Sequence, residues 1–246
     1  MQAKTEASAF YAHNPANPHF GHFAHVLFAS FTLLPQLGHA TSTRRTGMPT
    51  LCLRPRRAAR LNPFACTSDM DPPCVLSSRM LYRGFTAFRV DPLALPNGPA
   101  MNHETVELGD GALVLPFLDP DTVLLVESYR HSVKSWVLEL AGGGIKTGEI
   151  PEQAAARELR EETGYIARKL RALTTIYPLP GIVDQRAHLF VAHDLQEVGE
   201  PALGHAELLR QVRMPYGELR DGVQRGRYPD CALQLAVAFV ELGWQL

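Results

Sequence analysis

Residues Gly143–Tyr165 read GGIKTGEIPEQAAARELREETGY, and this stretch decides the fold. Pro151 suits the first turn of a helix, where its missing N–H costs nothing, and Gly164 suits the position just past the end. Between them Ala154, Ala155 and Leu159 supply a buried stripe. Residues three or four apart on a helix share a side, so Glu158, Glu161 and Glu162 form one acidic cluster. Like charges at that spacing repel by a few tenths of a kcal/mol per pair unless a cation screens them. A hard divalent ion such as Mg²⁺ takes oxygen ligands and leaves positions open for phosphates. Arg157, four before Glu161, is placed to orient it by an ion pair, and Glu149 reaches the same corner from ahead of the helix. When the six residues RELREE stand alone, an ordinary solvated helix face is the better explanation.

Working outward, the flanks alternate as strands do. Met80 to Val90, with Tyr82, Phe85 and Phe88, reads as a strand or hairpin arm. Glu104 to Leu108, Ala112 to Leu118, Thr122 to Tyr129 and Trp136 to Leu140 read as strands, separated by the turn signals Gly109-Asp110-Gly111 and Asp119-Pro120-Asp121. Gly142-Gly143-Gly144 reads as a glycine-rich loop. After the helix come strands at Leu170 to Tyr177, Ala187 to Ala192 and Leu208 to Met214, a short helix at Tyr216 to Gln224, and an apolar closing helix at Cys231 to Leu242. Strands on both sides of one central helix imply an α/β (α+β) fold, a mixed β-sheet sandwiched between helices, with an N-terminal antiparallel strand or hairpin extension.

The chain has 246 residues, 46% hydrophobic and 20% charged, enough for one core plus an appendage. Its formal net charge of −1 argues against a general nucleic-acid binder. No apolar run reaches the roughly 18 residues of a membrane span. Charge is uneven: Met1 to Asp69 holds seven Lys/Arg and two Asp/Glu, leaving 17 basic and 23 acidic residues beyond. Residues 1–75 lack periodicity and are rich in Pro, His, Ala, Ser and Arg. They read as a disordered extension or as translated upstream sequence, with Met70 or Met80 as the working start; a transit peptide is the other reading. His19, His22 and His25 lack a nearby carboxylate and make a weak metal site. Residues 76–246 read as the folded domain. Cys52, Cys66, Cys74 and Cys231 show no CxxC pairing or zinc spacing, which suits reduced thiols in a cytoplasmic protein.

The extended pattern removes the ambiguity of RELREE. Gly143, Glu149, Arg157, Glu158, Leu159, Glu161, Glu162, Gly164 and Tyr165 fit the Nudix box, with Tyr165 standing where the family has an aliphatic residue. Seven fixed residues at background frequencies near 6% match by chance on the order of 10⁻⁹ per window. The segment therefore resembles the Nudix hydrolases. That resemblance implies a loop–helix–loop in which Glu158 and Glu162 are principal metal ligands and Glu161 an accessory one. Arg157 is implied to orient a glutamate, Gly143 to permit the tight loop, and the Ala141 carbonyl to bind metal. It also implies Mg²⁺ (or Mn²⁺) as cofactor. Metal-assisted pyrophosphate cleavage needs charge neutralisation and an activated water, which such a cluster provides.

The likeness extends over about Met80 to Leu242 and is similar to the ADP-ribose pyrophosphatase branch. Leu124–Arg130 resembles a strand ending in Gln-Tyr-Arg, with Ser128 for Gln. Trp136–Gly143 resembles a Trp-x-x-Glu-Leu-Pro-Ala-Gly-Gly element without its Pro. Tyr177–Gly181 resembles Tyr-x-Ser-Pro-Gly, and His188–Ala192 its following strand. The resemblance implies substrate contacts at Arg130, Glu139 and Gly181, often across a homodimer interface. One departure matters: Gln185 stands where a Glu serving as base or extra ligand is expected, and an amide cannot accept a proton as a base. Asp184 taking the role is the preferred reading; Glu161 acting instead, or slow activity on another substrate, are the alternatives.

The expectation is a Mg²⁺-dependent hydrolase of a small-molecule nucleoside diphosphate derivative, foremost ADP-ribose to AMP and ribose 5-phosphate. It works without nucleic-acid or membrane partners. Alternatives are another nucleotide sugar, a dinucleotide, or a non-catalytic nucleotide-binding Nudix module.

Overall fold

The computed structural model describes residues 71–243 apart from residue 97 and residues 204–207. The expectations for residues 1–70, including the three histidines and a start at Met70, lie outside the described residues. Among the described residues the first strand is Cys74–Val75.

Two sheets carry the chain. The smaller contains β1 (Cys74–Val75), β2 (Arg79–Arg83), β3 (Ala87–Ala94) and β4 (Met101–Glu107), all antiparallel to the central β3. This is the expected N-terminal extension; the single arm read at Met80 to Val90 is two strands joined by a turn. The turn after β4 does not close a hairpin. It hands the chain to the second sheet, whose strands are β5 (Gly111–Asp119), β6 (Thr122–Arg130), β7 (Ser135–Glu139), β8 (Ala141–Gly144), β9 (Tyr165–Ile176), β10 (Ala187–Glu197) and β11 (Leu209–Pro215). The order is β11-β6-β5-β10-β9, with β7 on β6 and β8 on β5. Only the β5–β10 pair is parallel within it, so the sheet is mixed.

Period-2 alternation gives β5 two apolar faces. Ala112 and Val114, with Phe190 and Ala192 of β10, pack against Ala154, Ala155 and Leu159 of α1 (Pro151–Thr163). Leu115 and Phe117, with Leu189 and Val191, pack against Leu219 of α2 (Tyr216–Gln224) and Leu233, Ala236 and Val237 of α3 (Cys231–Glu241). The sheet thus lies between α1 and the α2–α3 layer. Among the described residues no helix is long and apolar enough to cross a membrane. Cys231 is a free, exposed thiol.

The glycine run corrects another expectation. Gly142-Gly143-Gly144 is not a loop but most of strand β8, paired with β5 through Ala112↔Gly143 and Leu113↔Gly142. A Cβ on Gly142 would sit 2.4 Å from the Ala112 carbonyl oxygen. Glycine inside a strand marks such a close backbone approach.

Helix α1 starts as its sequence dictates. Pro151 takes the first turn, and the Gln153 side chain accepts from the Ile150 N–H at 3.2 Å. It stops at Gly164, whose φ of 76° is left-handed and whose N–H donates to the Arg160 carbonyl at 2.9 Å. A Cβ there would lie 2.1 Å from the Gly199 carbonyl oxygen. Gly164→Ala therefore meets both backbone strain and a backbone clash, and is expected to cost about 2 kcal/mol or more. Urea denaturation of the two proteins measures this; an unchanged midpoint would show that the α1 terminus relaxes freely.

Candidate active site

The candidate site forms where β8 crosses the exposed side of α1. Arg157 is its centre. Its Nε donates to Glu149 Oε1 at 2.8 Å and its Nη2 to Glu149 Oε2 at 2.9 Å, a two-pronged pairing. Nη1 donates to Glu158 Oε1 at 2.6 Å and Glu161 Oε2 at 3.0 Å, and Nη2 also reaches the Gly144 carbonyl at 2.9 Å. One guanidinium thus binds three carboxylates and the end of β8. Only 18% of its side chain is exposed. The carboxylates, Glu149 first, hold Arg157 more firmly protonated than a free arginine.

The three helix carboxylates differ. Glu158 is half-buried; burial pushes its carboxyl up, and the Arg157 hydrogen bond opposes that. Glu161 is the most open, with 40% of its side chain exposed. Glu162 is buried and accepts from the Gly142 N–H at 2.8 Å through Oε2. Among the described residues no three His, Cys, Asp or Glu side chains converge as a ready coordination shell. Arg157 is the nearest cation to Glu158 and Glu161 and draws them to itself, while Glu162 turns to β8. The donor set still suits a hard divalent ion, being all oxygen on one side of α1. Gly143 leaves room for the Glu158 carboxylate: a Cβ there would lie 2.7 Å from Glu158 Oε1.

The β6–β7 hairpin adds the second cluster. Arg130 pairs with Glu139, Nη2 to Oε2 at 2.8 Å, and this hydrogen bonding raises the Arg130 pKa. Arg130 also feels the charges of Glu162 and Asp230, which puts the hairpin end in electrostatic reach of the acidic helix. Ala141 is fully buried in β8. Gly181 is exposed, with open space around it. Asp184 Oδ1 accepts from the Leu108 N–H at 2.9 Å, and Gln185 Nε2 donates to the Gly109 carbonyl at 2.9 Å.

Sequence reading missed two contributors. Asp230 caps α3, accepting from the Leu233 N–H at 2.7 Å. Burial raises its pKa, and so does the neighbouring charge of Glu139. An Asp ahead of an apolar helical run was its signal. Gln211 on β11 donates to the Glu162 and Thr163 carbonyls at 3.3 and 3.0 Å, closing the end of α1; no local pattern announces that cross-sheet contact.

Comparison with known proteins agrees with this geometry. A NUDIX domain family model matches residues 107–231. The chain is 37% identical over 154 residues to an ADP-ribose pyrophosphatase of Bacillus subtilis (strain 168), covering 62% of this chain and 83% of that protein. It is 29% identical over 155 residues to a methanol dehydrogenase activator of Bacillus methanolicus, covering 63% and 84%. A solved structure described as an ADP compounds hydrolase superposes with a TM-score of 0.63 at 24% identity, covering 72% of this chain and 96% of that one, and speaks to the fold. The chain belongs to the Nudix family. Within that family it is a pyrophosphohydrolase.

Two outcomes follow from the Arg157 cluster. Gly143→Ala is expected to displace the Glu158 carboxylate, lowering kcat on the order of tenfold or more while shifting Tm little. Steady-state assay beside a thermal melt checks this, and a wild-type rate would show that the cradle is not used. Glu149 supplies the pH test. Its hydrogen bonds from Arg157, then the Lys146 N–H, hold its carboxyl down at about 2 from an ordinary 4.5. A depressed carboxylate adds stability that is complete above the ordinary value and lost as pH falls through the depressed one. The stability gap between wild type and Glu149→Gln is therefore expected to be flat above pH 4.5 and to close toward pH 2. Urea melts across that range read it; a constant gap would show that Glu149 charge does not hold Arg157.

Proposed function

We propose that this protein hydrolyses the pyrophosphate of ADP-ribose to AMP and ribose 5-phosphate, using Mg²⁺ (or Mn²⁺). The observation that supports it is the Arg157-centred carboxylate cluster on α1 beside the Arg130–Glu139 pair. Relatives bearing the ADP-ribose pyrophosphatase name point to the substrate.

Glu158, Glu161 and Glu162, with the Ala141 carbonyl, would hold the metal. Bound there, a divalent ion neutralises phosphate charge and lowers the pKa of a coordinated water. Arg157 keeps Glu158 and Glu161 on the working side of the helix. Arg130, Glu139 and Gly181 face the nucleotide. Water oxygen bonds to one phosphorus, the bridging P–O bond breaks, and the water proton passes to a carboxylate. The acceptor in this reading is Glu161. Glu161 is the most exposed of the helix glutamates.

Tyr129 and Trp136 pack edge-on at 5.7 Å yet stay 36% and 51% exposed, beside exposed Val133 and Leu208. This apolar patch supports a homodimer, with a second copy covering the hairpin. A cytoplasmic location completes the reading.

Purified protein is assayed against ADP-ribose, several nucleotide sugars and a dinucleotide, with Mg²⁺ and with chelator. AMP and ribose 5-phosphate are expected only with metal. Glu162→Gln is expected to lower turnover at least a hundredfold without unfolding, because the amide oxygen still accepts from Gly142 while the charge is lost. Cleavage of none of the substrates would favour a nucleotide-binding module instead.

A further inference from the structure

Three successive loop residues meet three successive turn residues. Asp184 accepts from the Leu108 N–H at 2.9 Å, and Gln185 donates to the Gly109 carbonyl at 2.9 Å. Arg186 donates to Asp110 twice at 3.0 Å, once from its backbone N–H and once from Nε. Backbone bonds bracket these rungs: the Val106 N–H donates to Ile182 at 2.8 Å and the Gly111 N–H to Arg186 at 2.9 Å. The turn is in turn tied to the acidic cluster. The Ile145 N–H donates to the Asp110 carbonyl at 2.9 Å, and Gly111↔Gly144 begins the β5–β8 pairing. At the far side of β8, Gly142 holds Glu162 and the Gly144 carbonyl holds Arg157.

We infer that residues 182–186 brace the β4–β5 turn and thereby register β8 against the metal-binding carboxylates, with Asp184 and Gln185 as positioning residues and not as the source of a base. The inference rests on the active-site reading given above.

The chemistry of position 185 carries the point. The contact to the Gly109 carbonyl needs a donor, which an amide has and a carboxylate lacks. Glutamate there would set two acceptors face to face, between Asp184 and the Asp110–Arg186 pair. The departure from the family pattern is thus a gain of a hydrogen bond, made where the chain no longer asks this loop for a proton acceptor. Asp184 uses its carboxylate on a backbone amide, a task the side-chain oxygen of asparagine also performs.

The test uses the full chain and three variants: Gln185→Glu, Asp184→Asn and Asp184→Ala. Steady-state kinetics with ADP-ribose and Mg²⁺ are read beside amide hydrogen exchange over residues 104–112. Gln185→Glu, which by family pattern restores a base, is expected to lower kcat roughly tenfold with little change in KM, a positional loss, and to speed exchange in that segment. Asp184→Asn is expected to keep kcat, its pH profile and exchange near wild type, whereas Asp184→Ala loses rate and protection together. A rise or no change in kcat for Gln185→Glu overturns the inference, as does Asp184→Asn falling as far as Asp184→Ala. If wild type cleaves no ADP-ribose, the functional reading fails; the exchange arm still decides the brace, which is lost if Leu108 exchanges equally in wild type and Asp184→Ala. Should Gln185→Glu not fold, the Asp184 pair decides alone.

Discussion

The Arg157 guanidinium is the constraint on which the site depends. Glu149, Glu158 and Glu161 would otherwise crowd like charges at one corner of α1. Arg157 donates to all three and to the Gly144 carbonyl, in a place where only 18% of its side chain meets solvent. Hydrogen-bonded ion pairs in such a setting are stronger than surface pairs, and removing one partner leaves charge without compensation. The same contacts hold the segment before the helix, the helix itself and strand β8 together. Secondary structure and site chemistry share one set of bonds here.

That sharing explains what the sequence made legible. The helix was readable because its signals are local: Pro151, Gly164 and the Ala154–Ala155–Leu159 stripe bound a helix observed at Pro151–Thr163. The box spacing located the acidic side for the same reason. Strand β8 was not readable, since glycine has no periodicity and its strand state follows from backbone approach to Ala112 and Leu113. Strand β9 was read from Leu170 but begins at Tyr165, because its first turn of sequence, Ile166 to Lys169, pairs with β10 while presenting polar residues to water. The pattern marks burial, whereas the ladder is set by the partner strand.

The site divides in the same way. The box residues were located by their match to the Nudix pattern, but their partners across the fold were not. Gln211 reaches α1 from β11, Asp230 arrives from α3, and the Asp184–Arg186 rungs join segments 76 residues apart in the chain. Such contacts depend on topology, above all on the parallel β5–β10 pair that sets residue 187 beside residue 111. No window of sequence contains that information.

The two arginines of the site are built for different tasks, and burial tells them apart. Arg157 is saturated by carboxylates and enclosed, so it has no donor to offer a phosphate without breaking the cluster. Arg130 has 55% of its side chain exposed and is held directly by Glu139. Among the described residues Glu139 is its single carboxylate partner, where Arg157 has three, so an incoming anion has one pairing to displace. On the proposed reading, the planar, always charged guanidinium suits phosphate oxygens, and the Glu139 carboxylate, released from the pair, is free to accept from a substrate hydroxyl. The acidic neighbours Glu162 and Asp230 oppose anions at the same place, so on that reading a diphosphate is favoured at this corner only when a cation on α1 meets its charge. Binding and catalysis at such a site are therefore linked through a single electrostatic balance between Arg130 and the helix glutamates.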